Sequence, residues 1–310
     1  MKKVYFFACL FMLFLPFLLC AQDSVNVQDL RWKGYVKSMH STWVRNPDSN
    51  WTTWSLLHGR MDLSWQPSSQ LSLFAGLRTQ MTYGGWMDLM AAAPGFANRE
   101  GKDRGWMDLS GVVTSGPSYL WKAQADRLYT ELHLGNLNLR VGRQRINWGM
   151  GLVWNPNDIF NAWSWFDFDY EERPGSDAVR AEYYTGVASS MQGAASLDSS
   201  GRLTAAGLYR FAWKGYDLQG MAGITPDDFT LGGGWAGHIR GAGFRGECTW
   251  FVPRQGDQQD AVVLLALEAD YTFRNSMYLH LGFLFNSNGI TGKSGETGGW
   301  IQREVNAKFF

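Results

Sequence analysis

The residues that could do chemistry are concentrated between positions 142 and 173, where a strand-like run gives way to a loop. Arg143 and Arg145 end the run GRQR, and further charged residues follow in the loop. These are Asp167, Asp169, Glu171, Glu172 and Arg173. Guanidinium and carboxylate groups pair strongly when they meet, and they attract solute ions when they line a pore. We expect the two arginines to anchor the loop against the acids at a constriction.

Two other chemistries fit the sequence less well. His58 lies in the middle of a strand and His133 near a turn, and neither has an obvious serine beside it, so a hydrolase site is not predicted. The acids at 167–172 could offer oxygen ligands to calcium, but their alternating spacing is more typical of a solvated or arginine-paired loop. The sequence therefore predicts no catalytic residue, no metal site, no cofactor and no enzyme.

The N-terminus is typical of an export signal. Two lysines precede an apolar run from Val4 to Leu19, and the small residue Ala21 then leads into polar sequence. Residues 1–21 are therefore predicted to be a signal peptide. A signal anchor is the alternative, because the run is long enough for one.

Composition narrows the class of protein. The chain has 16 Trp, 12 Tyr, 19 Phe and 36 Gly but 9 Pro, and it has no long apolar run after the signal. This points to a β-rich exported protein rather than a helical membrane protein. The formal net charge is zero, so the basic patch of a nucleic-acid-binding protein is not expected. Cys248 alone remains in the mature chain, which excludes an internal disulfide.

From residue 30 onward the apolar residues recur with a period of two, which predicts β-strands. Leu73 and Leu77 fall on one face of the run 70–83, while Arg78 and Gln80 fall on the other. Fourteen runs of this kind are predicted, at 30–43, 53–65, 70–83, 126–135, 137–147, 178–185, 190–197, 202–213, 216–224, 229–239, 242–252, 261–273, 276–287 and 300–309. Most are longer than the roughly five or six residues usual in soluble proteins, and they suit tilted membrane-crossing strands.

The predicted connections alternate between short turns and generally longer loops. The short ones lie at 66–69, 135–136, 214–215, 240–241 and 274–275, and the longer ones at 84–125, 148–177, 253–260 and 288–299. The predicted fold is all-β, a transmembrane antiparallel up-and-down β-barrel of about 14 strands (about 12 to 16), formed by residues 22–310. A soluble β-sandwich is the alternative, but it would bury its apolar face. The ending IQREVNAKFF alternates imperfectly, which leaves open a chain that lacks C-terminal strands.

If the apolar faces meet lipid, the polar faces line a lumen. The predicted lining residues are Arg60, Asp62, Arg78, Arg140, Arg180, Arg210, Arg245, Glu268 and Asp270. Arginine outnumbers carboxylate in this set, which favours anions. The alternative is that these charges pair across strands and satisfy one another inside a plugged lumen.

Arg143 and Arg145 raise a problem of phase. Leu139 and Val141 are predicted to face lipid, so strict alternation would send both arginines the same way, at high cost in hydrocarbon. A β-bulge at Gly142 would turn them inward. Alternatively, the strand has already reached the outer rim, where guanidinium groups meet lipid phosphates.

The segment between Gly142 and Gly186 resembles a known family. Its series GRQRINWG, NPNDIF, DFDYEERPGSDAVR and YYTG is similar to that of porin-like bacterial outer-membrane barrels, akin to alginate-export-type and related uncharacterised barrels. The resemblance implies an outer-membrane barrel whose inward-folded loop narrows the pore. It assigns no substrate-binding residue.

The sequence thus predicts a porin-like channel in the outer membrane of a Gram-negative bacterium. It would allow passive diffusion of small polar or anionic solutes past inward-folded loops. The alternative is a closed barrel that serves as a surface or partner platform without transport. Expected partners are outer-membrane lipid and lipopolysaccharide, the barrel-assembly machinery and a small polar solute. Nucleic acid is not expected, and a homo-oligomer is left open.

Overall fold

The computed structural model describes residues 30–44, 51–91, 95–96, 100–103, 105–161, 175–254 and 260–289. Within these ranges the chain forms one antiparallel sheet of fourteen strands, and a short helix, α1 (Gly85–Ala91), follows the third of them. The strands are β1 (Leu30–Trp43), β2 (Thr52–Ser68), β3 (Leu71–Tyr83), β4 (Ser110–Gly116), β5 (Tyr119–Leu134), β6 (Leu137–Gln144), β7 (Ser176–Gly186), β8 (Ser189–Leu197), β9 (Leu203–Trp213), β10 (Tyr216–Ile224), β11 (Asp228–Ile239), β12 (Ala242–Pro253), β13 (Val262–Thr272) and β14 (Tyr278–Asn286). None of the described helices is long and apolar enough to cross a membrane.

The sheet is an up-and-down meander with a single exception. Each strand pairs with the next one along the chain, except that β3 pairs with β5. β4 pairs with the first part of β5, whereas β6 pairs with the last part, from Leu128 to Leu134. β4 and β6 therefore lie one after the other along the same edge of β5.

The predicted fold class, an all-β antiparallel up-and-down barrel of about 14 strands, is confirmed. The first and last strands of the sheet, β1 and β14, form its two edges, and the place where they face each other is here called the seam. These two strands run in the same direction and are not paired with each other in the described ranges. β4 was not predicted, since residues 110–116 fall in the predicted loop 84–125. The predicted strand 300–309 lies outside the described residues.

Tight turns gather at one end of the sheet, here called the short-turn end. Two of them are two-residue hairpins with positive φ at both positions: Lys214 (49°) with Gly215 (81°), and Arg240 (51°) with Gly241 (88°). Such type I′ geometry matches the twist of the flanking strands. The longer connections, between β3 and β5 and between β6 and β7, begin and end at the opposite, long-loop end.

The two faces of the sheet have inverted polarity compared with a soluble protein. Leu231 and Leu281, on the outward face, are 57% and 64% exposed. Arg60 and Glu268, on the opposite face, are 8% and 2% exposed. The loop after β6 makes contacts with β8, β10, β11, β12 and β13, so the sheet curves around its polar face.

Candidate functional site

The central feature of the inward face is the segment 145–161, here called the inner loop. It leaves the end of β6 and is fixed to strands on the far side of the sheet. The Trp148 indole donates a hydrogen bond to Gln192 on β8 (3.0 Å), and Gln219 on β10 donates one to the Trp148 carbonyl oxygen (2.6 Å). One residue of the loop is thus held between two strands of the wall.

Glu247 on β12 is the first of two wall carboxylates that bind the loop backbone. It is almost fully buried and accepts hydrogen bonds from the backbone N–H groups of Met150, Gly151 (2.9 Å) and Asn157 (3.1 Å). A carboxylate that is out of contact with water needs several donors, and here the loop backbone supplies them.

Glu268 on β13 is the second. Its oxygens accept hydrogen bonds from the backbone N–H groups of Leu152 (2.6 Å), Val153 (2.9 Å) and Trp154 (2.9 Å). His280 on β14 lies 3.4 Å from the same carboxylate. The two glutamates together bind six backbone donors between positions 150 and 157, which fixes the course of the loop.

Asn157 makes a further polar attachment, and the glycine run of β11 provides room for it. Its amide donates to the Gly233 carbonyl oxygen (3.0 Å), and its side-chain oxygen accepts a hydrogen bond from the Thr249 hydroxyl (2.7 Å). A Cβ at Gly232 would collide with the Asn157 side-chain oxygen, and one at Gly234 would lie 3.3 Å from its amide nitrogen. The backbone can approach the loop closely because these positions are glycine.

Apolar packing completes the attachment. Ile146, Trp148, Ile159 and Phe160 of the inner loop form a buried cluster with inward side chains of the wall. The wall side of this cluster consists of Ala178, Ala194, Leu208, Met221, Phe251 and Leu264. The Trp148 and Phe160 rings meet edge to face at 5.0 Å, a favoured aromatic geometry. The inner loop is therefore a packed element with its own core.

Arg143 lies elsewhere than the sequence suggested. Its Nε and Nη2 each lie 2.7 Å from an Asp177 oxygen, and its Nη1 lies 2.6 Å from Asp103. Asp177 alternates with exposed Val179 on β7, so Arg143, its cross-strand partner, lies on the outward face. It is 1% exposed there because residue 103 and the segment 105–107 cover it.

Neither predicted solution to the phase problem applies to Arg143. Gly142 has a φ of 118°, but β6 pairs with β5 and β7 without a shift in register, so no bulge turns the arginine inward. Its partners are protein carboxylates rather than lipid phosphates. Arg145 is half-buried, and its Nε has no hydrogen-bond partner among the described residues. The predicted partners Asp167, Asp169, Glu171 and Glu172, with Arg173, lie outside the described residues.

The predicted lining residues all fall on the inward face, and most are paired. The cross-strand or same-strand pairs are Arg60 with Asp62 and Asp126, Arg78 with His58, Arg140 with Glu131, Arg180 with Glu182, Arg210 with Gln219, and Arg245 with Asp270. Glu268 binds the inner loop instead. Glu268 is one of the predicted lining residues, but its role as a loop anchor, which it shares with Glu247, was not predicted, since the partners of both are backbone groups.

Comparisons with known proteins give structural similarity alone. No family model matches the chain, and no curated protein matches its sequence. The fold is similar to Pseudomonas putida OprB in a low-pH structure (TM-score 0.46, 12% identity, 84% of this chain and 78% of that chain). It is also similar to Salmonella typhi OmpF in complex with daunomycin (TM-score 0.48, 10% identity, 85% and 81%) and to a mutant of the Rh. blastica porin (TM-score 0.37, 8% identity, 82% and 94%). These similarities carry no information on solutes or site residues, and the likeness to alginate-export-type barrels stays a prediction.

Proposed function

We propose that this protein is a porin-like channel of the bacterial outer membrane, which lets small polar or anionic solutes diffuse through a lumen narrowed by the inner loop. The observation that carries the proposal is the inverted polarity of the sheet. Its outward face exposes side chains such as Val36 (75%) and Leu281 (64%), whereas its inward face buries charged groups.

An apolar surface of this extent is incompatible with water. Monomeric soluble proteins rarely expose contiguous apolar patches above a few hundred Å², whereas here the exposed apolar residues recur along nearly every strand from β1 to β14. Lipid is the solvent in which such a face is stable. A β-sheet that lies in lipid must also satisfy its backbone hydrogen bonds within the protein, and the antiparallel pairing along the sheet from β1 to β14 does so except at the seam.

The inner loop supports the idea of a narrowed channel. It is held against the β8–β13 side of the wall by Glu247, Glu268 and the Trp148 contacts. The opposite side of the wall, β1–β3 and β5, carries Lys33, Arg60 and Arg78 on its inward face, and Arg60 is paired there with Asp62 and Asp126. We infer that solutes pass between this side and the loop, where the positively charged side chains of the wall favour the passage of anions.

Single-channel recording tests the proposal. The mature chain, refolded in detergent, would be inserted into a planar bilayer under a salt gradient. Stable conductance steps with a reversal potential on the anion side are expected. A protein that folds and inserts, but passes no current, would instead support a closed barrel that acts as a surface or partner platform.

Export through the signal peptide, contact with lipopolysaccharide, insertion by the barrel-assembly machinery and homo-oligomer formation belong to the same proposal. Cell fractionation and cross-linking of the full chain in a Gram-negative host would test them. Recovery in the inner membrane would contradict this localisation, and the channel proposal would fall with it.

A further inference from the structure

Arg140 on β6 and Arg180 on β7 are direct cross-strand neighbours on the inward face. Like charges in this position repel each other, unless anions lie nearby. Among the described residues, each has one carboxylate as a hydrogen-bond partner: Arg140 Nη2 donates to both oxygens of Glu131 (2.9 and 2.8 Å), and Arg180 Nη2 donates to Glu182 (2.8 Å). Both contacts use a single terminal nitrogen of the guanidinium group.

The Nε atoms of the two arginines take no part in these contacts. In Arg140 and in Arg180 the Nε atom is buried and has no hydrogen-bond partner in the part of the chain that the structure describes. A buried donor without an acceptor is costly, especially when it carries charge. The planar fork of Nε and a terminal nitrogen is the part of arginine that fits a carboxylate or a phosphate with two parallel hydrogen bonds.

Glu182 accepts no hydrogen bond from either Nε atom. One of its oxygens accepts from Arg180 Nη2, and the other accepts from the Gln192 amide (2.7 Å). Arg140 is also held in place from another side, since its guanidinium carbon lies 4.5 Å from the centre of the Tyr129 ring. The two arginines are therefore positioned by the wall.

Each arginine of the pair is matched by one carboxylate, Glu131 or Glu182, so the pair as a whole is neutral. Arg210 on β9, whose hydrogen bonds go to neutral Gln219 (2.8 Å from Nη2), lies two strands further along the wall. The unused guanidinium nitrogens of Arg140 and Arg180 are therefore the feature that an anion could bind.

The same group is connected to the inner loop. Gln192, which binds Glu182, also accepts the hydrogen bond of the Trp148 indole (3.0 Å). Gln219, which binds Arg210, donates to the Trp148 carbonyl oxygen (2.6 Å). The arginines thus lie on the wall beside the place where the loop is attached.

We propose that Arg140 and Arg180 form a binding site for the oxyanion group, carboxylate or phosphate, of a permeating solute. Both side chains would turn toward the lumen so that their Nε and terminal nitrogens donate to its oxygens, which satisfies the donors that are otherwise buried and offsets the repulsion between the arginines. The site rests on the proposed channel function and identifies the class of solute that the lumen selects.

Calorimetry and conductance together test the site. Inorganic phosphate and acetate are titrated into the detergent-refolded mature chain, and phosphate is also added to bilayers in which the chain conducts chloride. The variants are Arg140→Gln and Arg180→Gln, with Arg180→Lys as a milder change. The control is Arg245→Gln, which removes the same charge from the same face at a residue paired with Asp270. A heat-dependent shift on SDS gels verifies folding.

We expect phosphate or acetate to bind the wild-type chain and phosphate to reduce its chloride current. Either glutamine variant should raise the half-blocking concentration by roughly tenfold or more, as expected for the loss of one charge-assisted contact. Arg245→Gln should leave it within about twofold. Arg180→Lys, which keeps the charge but loses the planar fork, should fall between these values.

Three results would overturn the site: no binding of either anion to the wild-type chain, equal effects of Arg245→Gln and Arg180→Gln, or unchanged binding in both glutamine variants. If the chain conducts but binds neither anion, the site fails and the channel stands. If it binds phosphate through Arg140 and Arg180 yet never conducts, the channel fails and the site stands.

Discussion

The carboxylate of Glu268 lies 2.6 Å from the backbone nitrogen of Leu152, although 116 positions separate the two residues. The next two backbone N–H groups, of Val153 and Trp154, bind the same carboxylate. An acidic residue on β13 therefore fixes the position of a loop that begins at the end of β6. The wall holds the inner loop with glutamates, where the sequence suggested arginines.

Removal of the Glu268 carboxylate should release part of the inner loop. Hydrogen bonds to a charged group contribute about 1.5 to 3 kcal/mol each. Three are lost in Glu268→Ala, so the backbone amides of 152–154 should exchange with solvent roughly a hundredfold faster or more. Hydrogen exchange on the refolded protein measures this directly. Open-channel current should also become noisier.

The matched control is Asp270→Ala, on the same strand and face. Asp270 pairs with Arg245 and makes no hydrogen bond to the inner loop within the described part of the chain. Its removal should leave the amides of 152–154 protected. Equal loss of protection in both variants would show that the loop responds to general weakening of β13.

Trp148 should be the main apolar anchor of the loop. It is almost fully buried, packs against Phe160 and bridges Gln192 and Gln219. Truncation of a buried tryptophan costs about 3 to 5 kcal/mol. In Trp148→Ala that cost should fall on loop docking, so proteolysis should cut within the inner loop at least tenfold faster.

Trp213 provides the comparison for Trp148. It is 58% exposed on the outward face, at the short-turn end of β9. Trp213→Ala should leave the inner loop as resistant to protease as in the wild type. Proteolysis that is unchanged in Trp148→Ala would mean that the glutamates alone hold the loop.

The sequence predicts most strands of the wall because each strand must present apolar side chains to lipid on one face and polar side chains to the lumen on the other. The pleat alternates side chains between lipid and lumen, so a run such as 278–286 shows its period directly. β4 lacks this signal, since SGVVTSG is short and mostly small. The large aromatic residues of one strand can take either face: Phe251 turns inward into the buried cluster, while its neighbour Trp250 stays exposed.

The candidate site was less accessible to sequence reasoning. Glu247 and Glu268 bind backbone N–H groups, and these groups are present at almost every residue, so no side-chain pattern identifies them as partners. Arg143 pairs with Asp103, which lies 40 positions earlier in a region that was predicted to be a loop. Charge patterns show which residues need partners, whereas the fold decides which partners they meet.

Arg143 should stabilise the wall without affecting the pore. Breaking a buried ion pair leaves an uncompensated charge and costs about 3 to 5 kcal/mol. Arg143→Ala, which strips Asp103 and Asp177 of their shared cation, should therefore lower the unfolding midpoint in denaturant, while the folded fraction conducts as before. A change in conductance or ion selectivity would instead indicate that Arg143 contributes to the constriction of the pore.

Arg202→Ala is the control for that experiment. Arg202 pairs with Asp198 near the long-loop end, but its side chain is 58% exposed, and such pairs contribute about 1 kcal/mol or less. Its removal should barely move the midpoint. A similar loss in both variants would indicate that burial does not distinguish the two pairs.

The seam between β1 and β14 leads to the last prediction. Both strands run from the short-turn end to the long-loop end, so direct pairing between them would be parallel in an otherwise antiparallel sheet. One further strand that runs the opposite way would make both contacts antiparallel, and the alternation at 300–309 predicts such a strand. An open edge in lipid would leave backbone groups without partners.

Removal of residues 300–310 should therefore abolish the compact, heat-shifted species on SDS gels and all channel activity. Removal of residues 255–259, from a connection at the long-loop end, should preserve both, because loop length has a small effect on closure. A shortened chain without 300–310 that still folds and conducts like the full one would place the closing contact elsewhere.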